Sequence, residues 1–473
     1  MRNNFAITAA LVMSLLMVFA TASAQEQAMF APAVEVSDQV SVDGTVTIDS
    51  VTAEQAGWMV IHADDGEGAP GPVIGFRQVP RGANTDVVVD IDTEAATPTL
   101  FAMLHFDTGD EGVYEFGTVE GADVPVMVDG NVVNVGFNIH LIAAQPQLVD
   151  GDTVNVPVGI VQDNGWMVVH ADNGEGAPGP VLGSTYLPAG VSTNIPVPLD
   201  PEVEVTSVLY PMLHTDTGET ESYEFGAVEG ADLPIVVNDV LAVGSFSTVP
   251  AVNAQQQIVF DTFVADEVLS DGPGWLVVHA AAEGGGPGEV IGAEFVNDGY
   301  NADVAVSLNT DADFGSVIYP MLHEDTGEEG TYEFGEVDGV DLPVSVDGEV
   351  LTFPMLIRPS ITANTTQSLE GSELNVVRID NALIDAAGWM VIHADNGEGA
   401  PGEVIGFAPL LSGLNQNVSV LMDGDITETV YAMLHYDTNE IGEYEFGSVS
   451  GADVPLQVDD VVVTQAITLE GLE

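Results

Sequence analysis

Gly57–Asp64 reads GWMVIHAD, and the string returns as GWMVVHAD at 165–172, GWLVVHAA at 274–281 and GWMVIHAD at 388–395. The chain's four tryptophans, Trp58, Trp166, Trp275 and Trp389, all lie inside it, at steps of 108, 109 and 114 residues. A second string keeps nearly the same step: AMLHFDTGDEGVYEFG from Ala102, PMLHTDTGETESYEFG from Pro211, PMLHEDTGEEGTYEFG from Pro320 and AMLHYDTNEIGEYEFG from Ala432. A third follows it, as GADVPVMVDG, GADLPIVVND, GVDLPVSVDG and GADVPLQVDD. One unit of about 110 residues, present four times, sets the organisation.

Inside each copy the apolar residues fall at period two. Thr45-Val46-Thr47-Ile48-Asp49 and Asp86-Val87-Val88-Val89-Asp90-Ile91 are examples, separated by turn clusters of Gly, Pro, Asn and Asp. No stretch sustains the i, i+3, i+4, i+7 face of a helix. About seven short strands in such a length is the arithmetic of an immunoglobulin-like β-sandwich, here without a disulfide because the chain has no cysteine. The expected fold class is therefore all-β: four tandem immunoglobulin-like β-sandwich modules over 31–141, 143–250, 251–360 and 361–473. The junctions hold no Gly/Ser or Pro-rich spacer, which predicts little freedom between modules and an elongated array. Four units of about 13 Å radius of gyration, end to end, would make a rod of roughly 140 Å.

Composition narrows the partners. Asp and Glu number 75 against five arginines and no lysine, for a formal charge of −70 over 473 residues. Such a surface repels nucleic acid and anionic membranes. Without cysteine there is no thiolate catalyst and no cysteine-ligated metal. Hydrophobic residues at 46% are too many for a disordered acidic tail, and no run of five acids occurs. At the N-terminus, Arg2, an apolar stretch from Phe5 to Ala20 and Ala22-Ser23-Ala24 read as a signal peptide over 1–24. Its removal takes one arginine and no acid. The mature chain is then expected outside the cytoplasm (secreted, periplasmic or at the cell surface) with no transmembrane segment.

The three strings together resemble the domain of unknown function family 7282, found in exported proteins of salt-loving archaea and some bacteria. The resemblance covers nearly all of 31–473. It implies a β-sandwich module of exported or surface proteins, and it brings no activity and no catalytic residue.

The chemistry must come from the residues. Eight of the nine histidines fall two per copy: His62 and His105, His170 and His214, His279 and His323, His393 and His435. Seven are followed two positions later by an acid, namely Asp64, Asp107, Asp172, Asp216, Asp325, Asp395 and Asp437; His279 is followed by Ala280-Ala281. Residues i and i+2 share a strand face, so each His and its Asp can meet. If the two strands are neighbours, two imidazoles and two carboxylates converge, with Met103, Met212, Met321 and Met433 on the face of the second His. Two His with a carboxylate suit zinc, and His with Met suits copper. The favoured reading is structural: Trp58, Val60 and His62 share a face, so the His packs beside the Trp and bonds its Asp. Two acidic turns, from Asp64 and from Asp107 with their echoes, offer the hard oxygens that calcium takes, without EF-hand spacing. No cofactor is certain; calcium, zinc and copper stay open.

Enzyme signatures are weak. Gly66-Glu67-Gly68-Ala69-Pro70-Gly71 fits G-x-G-x-x-G but carries an acid and leads into a strand. Asp107-Thr108-Gly109 matches the D-T-G of aspartic proteases, yet copy four reads Asp437-Thr438-Asn439 and nothing pairs two lobes. The expected function is an acidic structural or adhesive protein of the cell surface or extracellular matrix, non-enzymatic, whose partners are cations and surface or matrix components. A cation-binding periplasmic or secreted protein is the alternative, and an extracellular hydrolase comes third.

Overall fold

The computed structural model describes residues 31–471 apart from 111, 150, 312–314, 370–374, 440, 441, 443, 459 and 460, so the expected signal peptide lies outside the described residues. The first module contains β1 (Ala33–Glu35), β2 (Gln39–Ser41), β3 (Thr45–Ala53), β4 (Gly57–Asp64), β5 (Pro70–Val79), β6 (Gly82–Asp90), β7 (Thr99–Phe106), β8 (Met127–Val128), β9 (Asn131–Val132) and β10 (Asn134–Ala143). One sheet runs β1-β3-β6, the other β10-β7-β4-β5, with β2 parallel to β10 and β8-β9 a separate hairpin. Consecutive strands thus cross between two sheets, the Greek-key pairing of an immunoglobulin-like sandwich.

Alternation places the core. In β3, Val46, Ile48, Val51 and Ala53 are buried, and they meet Met59, Ile61, Ala63, Leu100, Ala102 and Leu104 of the facing sheet. β4 departs from alternation: Gly57 to Ala63 are all buried. It lies between β5 and β7, and its second face is covered by the chain that follows β7. That explains a near-continuous apolar string where a half-exposed strand would alternate.

Modules join with almost no slack. β10 ends the first module's sheet and runs directly into the second, where Leu141, Ile142 and Ala143 pair with β11 (Thr153–Val161). Val158 and Ile160 of β11 belong to the first module's core cluster. The next two junctions pass from Phe246–Ser247 to Ala251–Asn253 and from Met355–Leu356 to Ser360–Thr362. The all-β, four-module expectation describes the chain.

The elongated array does not. Arg77 donates to the Leu414 carbonyl at 3.1 Å, Thr85 Oγ1 lies 3.3 Å from Ser419 Oγ, and Arg378 pairs with Asp86 at 3.3 Å. The fourth module therefore folds back onto the first. Short junctions limit slack, but each fixes an angle, and successive angles curl the chain. Of the four arginines outside the expected leader, two lie at this contact, where cations relieve repulsion between acidic surfaces.

Candidate site: a buried imidazole pair in each module

The register of β4 and β7 sets Trp58 opposite His105, Val60 opposite Met103 and His62 opposite Phe101. All six side chains share the face away from the sandwich core, so the two imidazoles approach diagonally across Val60 and Met103. Their ring centroids lie 5.7 Å apart, and the other three pairs stand at 5.8, 5.7 and 5.6 Å. A bulge between β4 and β5 on both sides of His62 bends the strand at that residue.

The repeated Gly-Trp has a steric cause. A Cβ at Gly57 would collide with the main-chain carbonyl of His105, and Gly165, Gly274 and Gly388 face His214, His323 and His435 in the same way. Only glycine lets the two strands close here, where the tryptophan stands opposite the second histidine in the register.

The segment after β7 closes the face. Tyr114 packs edge-on against Trp58 at 5.4 Å, and Phe116 stands edge-on to His105 at 4.7 Å. Such pairs contribute about 0.5–1.5 kcal/mol each beyond area burial. The segment itself hangs on Asp123, which is fully buried. Its carboxylate accepts the Thr108 and Glu115 N–H groups at 2.7 and 2.6 Å, and its own N–H donates to Thr108 Oγ1 at 2.8 Å. Asp232, Asp341 and Asp453 repeat this. All four adopt positive φ, between 46° and 50°. These four aspartates are absent from the residues singled out by sequence. The signal was present, an acid after Gly-Ala or Gly-Val in every third string, but it reads as an ordinary turn.

Both ring nitrogens are accounted for differently. His62 Nδ1 lies 2.8 Å from the Gly71 carbonyl, and His105 Nδ1 lies 2.8 Å from the Asp123 carbonyl. The corresponding contacts in the other modules span 2.7–3.0 Å. A carbonyl oxygen only accepts, so Nδ1 carries the proton and Nε2 presents a lone pair. The Nε2 atoms of His62, His105, His170 and His279 are buried with no hydrogen-bond partner. Those of His214 and His323 lie 3.2 Å from Sδ of Met212 and Met321, and those of His393 and His435 are 3.4 Å apart. Burial lowers the pKa of every one of these rings, to about 4 for His105, His214, His323 and His435. They are neutral at pH 7.

The structure therefore unites the histidine pairs and the methionine expected beside them, but it turns the acids away. Asp64 Oδ1 accepts the N–H groups of Gly66 and Gly68 at 2.5 and 3.3 Å, and Asp172 and Asp395 close the same turn. Asp107, Asp216, Asp325 and Asp437 accept N–H groups five residues on. The expected His-Asp meeting fails because a strand-end carboxylate is captured by the unpaired N–H groups of the turn it opens. Copy three shows the substitution from the other side: with Ala281 in the acid's place, the Gly286 N–H donates to the Tyr319 hydroxyl at 2.9 Å. Among the described residues no three His, Asp or Glu side chains gather as a metal set. The two histidines of a module and their acids therefore do not converge on one point.

Comparison with known proteins places the repeat. The family model for the domain of unknown function DUF7282 matches residues 32–140, 141–248, 250–355 and 359–470. Cell surface glycoprotein 1 of Haloarcula hispanica is 28% identical over 231 residues, covering 46% of this chain and 24% of the relative. Cell surface glycoprotein 2 of the same organism is 31% identical over 116 residues, covering 24% of this chain and 12% of the relative. The chain thus spans a quarter or less of the length of these relatives. Among solved structures, Lac15 from a marine microbial metagenome aligns at 11% identity over 85% of this chain and 88% of that one, with a TM-score of 0.11. The protocadherin gammaB7 EC3-6 structure aligns at 8% identity over 93% of this chain and 99% of that one, with a TM-score of 0.13. Scores this low carry no argument about fold or function. With four matches spanning nearly the whole described chain, the protein belongs to the DUF7282 domain family and carries four tandem copies of its domain.

Proposed function

We propose that this chain is an exported structural or adhesive component of a cell surface or surrounding matrix, non-enzymatic, and suited to saline surroundings. The observation that carries this reading is the junction: β10 belongs to the sheets of two modules at once. Two modules joined in this way hold their relative orientation, which presents repeated surfaces at a fixed spacing for multivalent contact better than independent domains on linkers.

The names of the two relatives, both cell surface glycoproteins, support surface placement. The sequons at Asn364 and Asn417 are exposed, as glycan acceptors must be. A charge of −70 suits a surface whose repulsion is screened by salt. For the non-enzymatic part, the Asp of each D-T-G string has its carboxylate bonded by its own loop, in a separate module from any second such acid.

The test is protease shaving of intact cells that express a tagged chain in a halophilic host, in molar salt. Release of tagged fragments without cell lysis is expected. Recovery of the intact chain only from the cytoplasmic fraction would overturn the reading.

A further inference from the structure

We propose that each module holds one copper(I) ion between its two imidazole Nε2 atoms and the intervening methionine sulfur, which are His62, His105 and Met103 in the first module. In the first module both Nε2 atoms are buried without a hydrogen-bond partner, and Met103 lies in register between the two rings on the same face. In the fourth module the two Nε2 atoms are 3.4 Å apart, and in the second and third the methionine Sδ lies 3.2 Å from the second imidazole. Because both Nδ1–H groups are committed to backbone carbonyls, neither ring can turn a proton inward without facing a bare nitrogen to a carbonyl oxygen.

Lone pairs packed without donors destabilise a fold unless something positive or protic fills the gap. A bridging water, with two hydrogen bonds of about 2.8 Å at its bond angle, wants the nitrogens about 4.4 Å apart, wider than the fourth module allows. A metal ion fits: two bonds of about 2.0 Å to nitrogens 3.4 Å apart meet at about 115°, open enough for a third ligand.

The donor types select the ion. Thioether sulfur is soft and favours copper(I), whereas zinc takes four borderline or hard ligands and no carboxylate points into this space. A single positive charge is also easier to bury than two. Comparison of the four copies agrees. Copy three has lost the acid after its first histidine yet retains His279, His323 and Met321, so what all four copies share is the two-nitrogen, one-sulfur set.

The test is anaerobic titration of the purified, exported chain with copper(I) against a chromophoric copper(I) chelator, together with X-ray absorption of the loaded protein. Four ions per chain and a shell of two nitrogens and one sulfur are expected. A variant with Met103→Leu, Met212→Leu, Met321→Leu and Met433→Leu preserves side-chain volume. It should keep its circular dichroism, lose the sulfur from the shell and bind copper(I) at least tenfold more weakly. Fewer than four ions per chain, a sulfur-free shell in the unaltered protein, or unchanged affinity in the folded leucine variant would overturn the proposal.

Discussion

The backbone carbonyl of Asp123 accepts the Nδ1–H of His105 at 2.8 Å while the carboxylate of the same Asp123 holds the loop that buries that ring. One residue thereby sets both the tautomer of the imidazole and its isolation from water. The relationship recurs at Asp232 with His214, Asp341 with His323 and Asp453 with His435.

Replacing Asp123 with Asn leaves one acceptor where two backbone N–H groups need one each. A buried unsatisfied donor costs about 1–3 kcal/mol, and more where a charged acceptor is lost. Asp123→Asn should raise hydrogen exchange over residues 108–116 at least tenfold while exchange in the other three modules stays unchanged. Unaltered exchange in that loop would remove Asp123 from its assigned role.

Two glycines separate steric need from backbone freedom. Gly57→Ala drives a methyl into the His105 carbonyl, whereas at Gly66, φ 90°, nothing lies within 4 Å of the added carbon. Gly66→Ala should cost about 1 kcal/mol from backbone strain alone. Gly57→Ala should cost several times that, because both partners are backbone in paired strands. Chemical denaturation followed by the fluorescence of Trp58, with the other tryptophans changed to Phe, measures both. Equal losses would contradict the close approach.

Acid should weaken the fold before the carboxylates titrate. Histidines near 6.5 in the unfolded chain but held down to about 4 when folded bind more protons unfolded. Stability is then full above pH 6.5 and falls as pH drops toward 4. Each such ring accounts for a loss on the order of 3 kcal/mol by the bottom of that window. Burial pushes the carboxyls of Asp266 and Asp437 up, which acts in the opposite sense at the acid end. The clean window is therefore pH 6.5 to 5, where the melting temperature at fixed molar salt should fall; a flat profile there would contradict buried neutral rings.

Salt should act on the whole chain and on the return of the fourth module. Screening shortens from about 10 Å at 0.1 M to about 3 Å at 1 M, so melting temperature should rise with NaCl. Arg378 and Asp86 are exposed, and such a pair contributes about 0–1 kcal/mol. Arg378→Ala should enlarge the radius of gyration in X-ray scattering slightly, with little change in melting. A falling melting curve with salt would count against a saline surface.

Much of this was legible because strand period is simple. Trp58, Val60 and His62 alternate onto one face, and the shared step of the GW and MLH strings made their strands natural neighbours. The fate of Asp64 was not legible. A bulge interrupts the i, i+2 rule between His62 and Asp64, and local N–H groups compete for the carboxylate. Asp123 was hidden for a related reason: its function depends on positive φ and on partners 8 and 15 residues away. The return of module four onto module one rests on scattered surface groups such as Arg77 and Leu414, which no repeat pattern marks.

The stability of the covered face and the proposed binding of a soft cation both turn on one tautomer. Nitrogen-15 spectroscopy of the imidazoles, on metal-free protein at pH 7 in molar salt, reads it directly. Eight rings with a protonated Nδ1 and a bare, pyridine-like Nε2 are expected, with the ninth, His140, as internal reference. Protonated Nε2 in the paired rings would show that the lone pairs do not converge, and the imidazole pair would then be packing alone.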